Sequence, residues 1–219
     1  MKKLLWLFAL LVLFACGSKP IPDWTNEAFN QLAQYKKDAL LGKGPVAELH
    51  FNKAVEEIKK TGNLEILAKV YLTKCAIQMA VLERIDDREY LRTDAVQSVA
   101  QNRSFHSFLK GDLNHVEENM LPAQYRRLFT TYRDRKLSGL QDEIVNMEDP
   151  VSKLIATGFL VQNNACDEEC LKIAIDTASR NGWKKALIVY LEKLQFYYDQ
   201  RNDKEKATAI KNKLDLITH

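Results

Sequence analysis

The chain is predicted to be all-α, an array of antiparallel helical hairpins that either stack into a superhelix or gather into an irregular bundle. Three observations in its 219 residues predict this. From Trp24 onward apolar residues recur at spacings of three and four, the period of a helix face, and the strict alternation of a strand is absent. All five prolines fall at breaks in that pattern or ahead of it. At 46% hydrophobic and 28% charged, with no low-complexity tract, the chain can bury one ordinary core, so residues 24–219 read as one domain.

Ahead of the helices lies a segment of a different kind. Lys2 and Lys3 precede an unbroken apolar run from Leu4 to Phe14, the order of a bacterial export signal. The run is shorter than the ~20 residues that cross a bilayer as a helix, and no later stretch of comparable length lacks charge. Leu13-Phe14-Ala15-Cys16 closes it and resembles the lipobox of bacterial lipoproteins, from which Phe14 departs, because that position more often holds a small or aliphatic residue. The resemblance implies that residues 1–15 are removed and that Cys16 carries a thioether-linked diacylglycerol, usually with a third, amide-linked chain. Simple secretion after Ala15 or Gly17 is the alternative. With two or three acyl chains, each buried methylene contributing ~0.8 kcal/mol, such an anchor is lasting. Gly17 in place of aspartate after the cysteine implies, by the same resemblance, sorting to the periplasmic face of the outer membrane.

Residues 16–23 form the lipidated start and a tether. Pro20 and Pro22 make it stiff, yet the seven residues from Gly17 to Asp23 reach only about 23 Å. Any partner is therefore expected close to the membrane. Loss of Lys2 and Lys3 with the signal lowers the formal charge from +3 to +1, which gives no electrostatic case for nucleic acid.

The helices follow in order. Ala28, Leu32, Tyr35 and Ala39 lie on one face of the first, which Gly42-Lys43-Gly44-Pro45 ends, with Pro45 suited to the opening of the second. Ala47, Phe51, Ala54 and Ile58 stripe the second helix, and Thr61-Gly62-Asn63 closes it. The third, Leu64 to Ile85, buries Leu64, Leu67, Ala68, Tyr71, Cys75, Met79 and Leu82, the widest apolar face so far, and is placed centrally. Eight more are expected at Asp87 to Leu109, Leu113 to Leu121, Ala123 to Arg133, Leu137 to Met147, Val151 to Gln162, Glu168 to Arg180, Trp183 to Gln200 and Lys204 to Ile217.

Ala47, Phe51 and Ala54, followed after a turn by Leu67, Ala68 and Tyr71, resemble the second helix of one tetratricopeptide repeat leading into the first helix of the next. Ile173-Ala174, then Gly182, Ala186 and Tyr190, repeat the pattern, and Tyr198, Asn202 and Ala207 begin an imperfect further copy. The 34-residue period fails between Ala186 and Ala207, and residues 87–147 show no copy. The resemblance implies a superhelical scaffold for protein segments.

Four cysteines are present. With Cys16 lipidated, Cys75, Cys166 and Cys170 remain, and in an oxidising compartment they allow one disulfide. Cys75 falls on the apolar face of the third helix, where cysteine acts as a small hydrophobe. Inside one helix, residues four apart hold their Cβ atoms ~5–6 Å apart, too far for a disulfide. Asp167 removes the obstacle if it caps a helix that starts after Cys166, leaving Cys166 free to bend back to Cys170. A redox or metal role for the pair fits less well: Asp167, Glu168 and Glu169 raise a thiol pKa, and no histidine stands nearby.

No catalytic or metal motif appears. His50, His106, His115 and His219 lack ligand spacing, and Gly42-Lys43-Gly44 lacks the length and hydroxyl residue of a phosphate loop, so no cofactor or metal is expected. A carboxylate pair for hydrolysis would meet only through the fold. The helix from Trp183 carries a main stripe of Trp183, Ala186, Leu187, Tyr190, Leu194 and Tyr197, and a second line of Val189 and Phe196 on the opposite side. That second line is either covered by a neighbouring helix, as in a repeat stack, or is exposed and anchors a partner. The function expected is that of a lipid-anchored interaction or assembly scaffold with a partner in the envelope, resembling pilotins and barrel-assembly factors. The alternative is a cell-wall hydrolase or lytic transglycosylase.

Overall fold

The computed structural model describes residues 23–218. Among them every regular element is helical, as the periodicity requires. Cys16, the signal and nearly all of the tether lie outside the described residues. The first helix, α1 (Asp23–Leu41), begins at the residue assigned to the end of the tether. It pairs with α2 (Gly44–Lys59) across a turn in which Gly42 takes φ +87 and the Lys43 N–H donates to the Asp38 carbonyl at 2.8 Å. Tyr35, Phe51 and Tyr71 pack in sequence as tilted rings through the hairpin and onto α3 (Leu64–Ala80), with ring centres 5.1 and 6.1 Å apart.

Asn63 caps α3 by accepting the Ile66 N–H. This helix is buried on nearly every side: Val70, Leu72, Ala76 and Ile77 join the expected Leu67, Ala68, Tyr71, Cys75 and Met79, while Leu64 and Leu82 are only half-buried. It is central because α2, α4 (Arg88–Val96), α5 (Ala100–Lys110) and α8 (Pro150–Gln162) all pack on it. The closest approach is to α8, where Gly158 faces the Met79 backbone.

Four expected helices are shorter or broken, the last being that of Leu137 to Met147, which divides into a 3-10 turn over Leu137–Gly139 and a helix over Leu140–Val145. The third stops at Ala80, where Leu82 takes φ +54 and the Glu83 N–H bonds back to the Gln78 carbonyl, a left-handed cap that usually calls for glycine. The fourth divides at residues 97–99, where Gln97 and Val99 are extended and the Ser98 hydroxyl bonds the Asp94 carboxylate rather than extending the helix. Residues 113–121 form two short 3-10 turns, fastened to α5 by Ser104, which donates to the Glu117 carbonyl and accepts its N–H, both at 2.9 Å.

The remaining helices follow the sequence pattern closely. After α6 (Ala123–Arg133) a 3-10 turn leads into the short α7 (Leu140–Val145). Asp149 caps α8, with Pro150 in its first turn. Then come α9 (Glu168–Arg180), α10 (Lys184–Asp199) and α11 (Lys204–Thr218), α10 lying between the other two. A second aromatic centre joins α5, α6 and α8 through Phe108, Tyr125 and Phe159. Hairpins thus occupy both ends of the array, and α1 also packs on α10, bringing those ends together.

Candidate functional site

Two regions carry the chemistry that the described residues offer: the surface around α9 and α10, and a cleft at the end of α3. In the first, Asp167 caps α9 as expected, accepting the Cys170 N–H at 2.9 Å, and its second oxygen accepts from the Gln141 amide at 2.6 Å. Cys166 stands just outside the helix. All three described cysteines are free thiols, and the Cys166 thiol donates to the Asp167 carbonyl at 3.8 Å. The neighbouring Cys170 thiol, then burial and the charge of Asp167, push the Cys166 pKa far up. Burial pushes Cys75, whose sulfur faces the Asp86 carbonyl at 3.7 Å, up to about 12.

Pairing of Cys166 with Cys170 is therefore still a proposal. Non-reducing peptide mapping of protein from an oxidising compartment should find the two joined, with Cys75 alkylated only after unfolding. Removing so small a loop is expected to cost at most ~2 kcal/mol. A bridge from Cys75 to either partner would refute the pairing.

On α10, the buried residues are Ala186, Tyr190, Leu191, Leu194 and Tyr198, so the stripe is rotated slightly from the expected one: Leu191 and Tyr198 replace Leu187 and Tyr197 at the centre. Tyr190 is fully enclosed and donates to the Leu154 carbonyl at 2.9 Å, locking α10 to α8. Both α9 and α11 pack on α10 as anticipated. Phe196 is 53% exposed, with the Lys193 ammonium 5.3 Å from its ring centre. Val189 is half-buried, one turn after Lys185, whose side chain packs beside Gly42 in the turn that follows α1. The two residues of the second line thus separate, one partly covered and one free.

The cleft was not nominated by sequence. It encloses about 870 Å³ between residues 79–88, Lys110 at the end of α5, and Gly158, Val161 and Gln162 of α8. Part of its lining is apolar, from Met79, Leu82, Ile85 and Val161, and part is charged with both signs. Asp87 accepts from His106 at 2.8 Å and lies 3.2 Å from the Lys110 ammonium. Burial raises its pKa, but those two bonds outweigh burial and hold the carboxyl below its ordinary range. Asp86 is held low by the bidentate Arg88 guanidinium, and Glu83 pairs with Lys185 at 2.5 Å.

These arrangements limit the chemistry. Neither Asp86 nor Asp87 has the raised pKa of a general acid, which a glycoside-cleaving carboxyl pair needs. Among the described histidines, His50 faces Gln31 and Asp38, His106 faces Asp87 and stacks on Tyr90, and His115 faces Asp112; His219 lies outside the described residues. No metal-ligating cluster occurs among the described residues, and no helix among them is long and apolar enough to cross a membrane. The cleft escaped sequence reading because residues 83–88 resemble a solvated charge run. Only the early stop of α3 turns that run across the ends of α5 and α8.

No protein-family model matches the chain, and no characterised protein or solved structure is found to be similar to it.

Proposed function

We propose that the protein is a lipid-anchored interaction protein of the outer membrane's periplasmic face, whose helical domain docks a segment of another envelope protein. The observation that carries the docking step is Phe196, a large aromatic left half in water on a helix otherwise packed on both flanks. Exposed aromatics beside a cation are favoured anchors at protein interfaces. The anchor itself rests on the resemblance of Leu13-Phe14-Ala15-Cys16 to a lipobox. A cell-wall hydrolase is the second reading, and the low pKa values at the cleft weigh against it.

Crosslinking in the native envelope, with Phe196→Ala and Cys16→Ser compared with the parent chain, tests both parts. Phe196→Ala should leave the melting curve within ~0.5 kcal/mol of the parent, as exposed positions do, and abolish capture of the partner. A loss of ~3–5 kcal/mol would instead mark a buried phenylalanine. An unchanged melt with unchanged capture would remove the docking role. Cys16→Ser should shift the protein out of the detergent-requiring fraction or stall its processing, and its persistence there with an unmodified N-terminus would remove the lipid anchor.

A further inference from the structure

Three helices end at the wall of the cleft beside α3. Met79 in the last turn of α3, Lys110 closing α5 and Gln162 closing α8 all line it. A helix C-terminus carries roughly half a negative elementary charge, so three of them outweigh the single N-terminus of α4 that Arg88 opens. To this fixed field is added Asp87, whose side chain is 16% exposed and tied to His106 on α5. The neighbouring cations are of another kind: Arg84, which also lines the cleft, is exposed, and the Lys110 and Arg88 side chains are 40% and 81% exposed, all on long stems. The negative charge is built in, and the positive charge can swing away.

The apolar part of the cleft is also built at some expense. Leu82 sits at φ +54, a conformation disfavoured for a bulky residue, where glycine would cap α3 without strain. The leucine side chain lines the cleft beside Ile85, above the crossing where Gly158 admits the Met79 backbone. A volume of about 870 Å³ falls within the ~300–1,000 Å³ of sites that take small ligands or a few side chains.

We propose that this cleft binds a primary ammonium carried on an aliphatic chain, its head displacing Lys110 from Asp87 and its methylenes lying on Met79, Leu82, Ile85 and Val161. The chemistry is that of a lysine side chain in a polypeptide or of a free aliphatic amine. It does not depend on the lipid anchor or on Phe196.

Methyl-region NMR of the helical domain in the full chain, titrated with hexylammonium, hexanoate and hexanol, tests the assignment. Hexylammonium should shift the Met79, Ile85 and Val161 methyl signals saturably at millimolar concentration, hexanoate should not, and added salt should weaken the effect. Lys110→Met should tighten binding by removing the resident cation. Asp87→Asn should weaken it about tenfold, the usual loss of a hydrogen bond to charge. Leu82→Gly, which leaves the cap of α3 intact, should weaken it while the fold persists. Acetyl-Leu-Lys-Leu-amide serves as the second probe: tighter binding than hexylammonium assigns the site to a polypeptide lysine, and weaker binding assigns it to a free amine. Equal response to hexanol, preference for hexanoate, absence of saturable shifts, or no tightening in Lys110→Met would each overturn the proposal.

Discussion

Gly158→Ala is expected to destabilise the protein by ~3 kcal/mol, the upper part of the range for overpacking. In an exposed helix the same change would stabilise, because alanine is favoured over glycine by about 1 kcal/mol in a helix interior. Here the added Cβ would stand 2.5 Å from the Met79 carbonyl oxygen and 3.1 Å from its carbonyl carbon. The obstacle is backbone, so no rotamer change relieves it. Because α3 is wedged between α8 and the helices on its other sides, moving it disturbs the whole core. Thermal unfolding should record a fall of roughly 6–12 °C for a chain of this size. A melt at or above that of the parent would show that the two helices separate freely and that the tight crossing is not needed.

Phe159→Ala should be at least as damaging, at ~3–5 kcal/mol. Phe159 has no exposed surface, stacks on Phe108 at 4.2 Å between ring centres, and receives the edge of Tyr132 at 5.2 Å. Truncation leaves a cavity bounded by rings from two other helices, which cannot all close on it. Denaturant unfolding should show a lower midpoint with a slope close to the parent's, the signature of lost stability rather than an altered unfolded state. A midpoint shift of under ~1 kcal/mol would mean that the site collapses and that the rings repack.

Much of the helical framework is legible in the sequence because its stops use ordinary signals. Ala123–Arg133 and Glu168–Arg180 begin and end as their periodicity and caps indicate, and Asp167 and Asn63 cap as their chemistry allows. The failures share a cause. Leu82 ends α3 in a conformation that sequence assigns to glycine, and residues 97–99 break a helix with neither glycine nor proline, so tertiary packing overrode local preference in both places. The cleft depended on the first of these, and it also joins residues about 80 positions apart, from Met79 to Gly158. The exposure of Phe196 could not be decided either, because the spacing of Val189 and Phe196 places them on one line without saying where a neighbouring helix runs.

The contact between α1 and α10 bears on how the chain folds. In an open solenoid each unit meets only its neighbours, folding can begin anywhere, and the ends fray independently. Here the first helix finds part of its packing surface on a helix some 150 residues later, so the N-terminal hairpin cannot complete its burial until nearly the whole chain is available. Closing so long a loop adds an entropic barrier that grows slowly with length and slows the search more than it weakens the product. The consequence is a domain that gains cooperativity and loses the ability to mature segment by segment. During synthesis and any transfer between compartments, the hairpin emerging first keeps apolar surface uncovered until the last third of the polypeptide arrives.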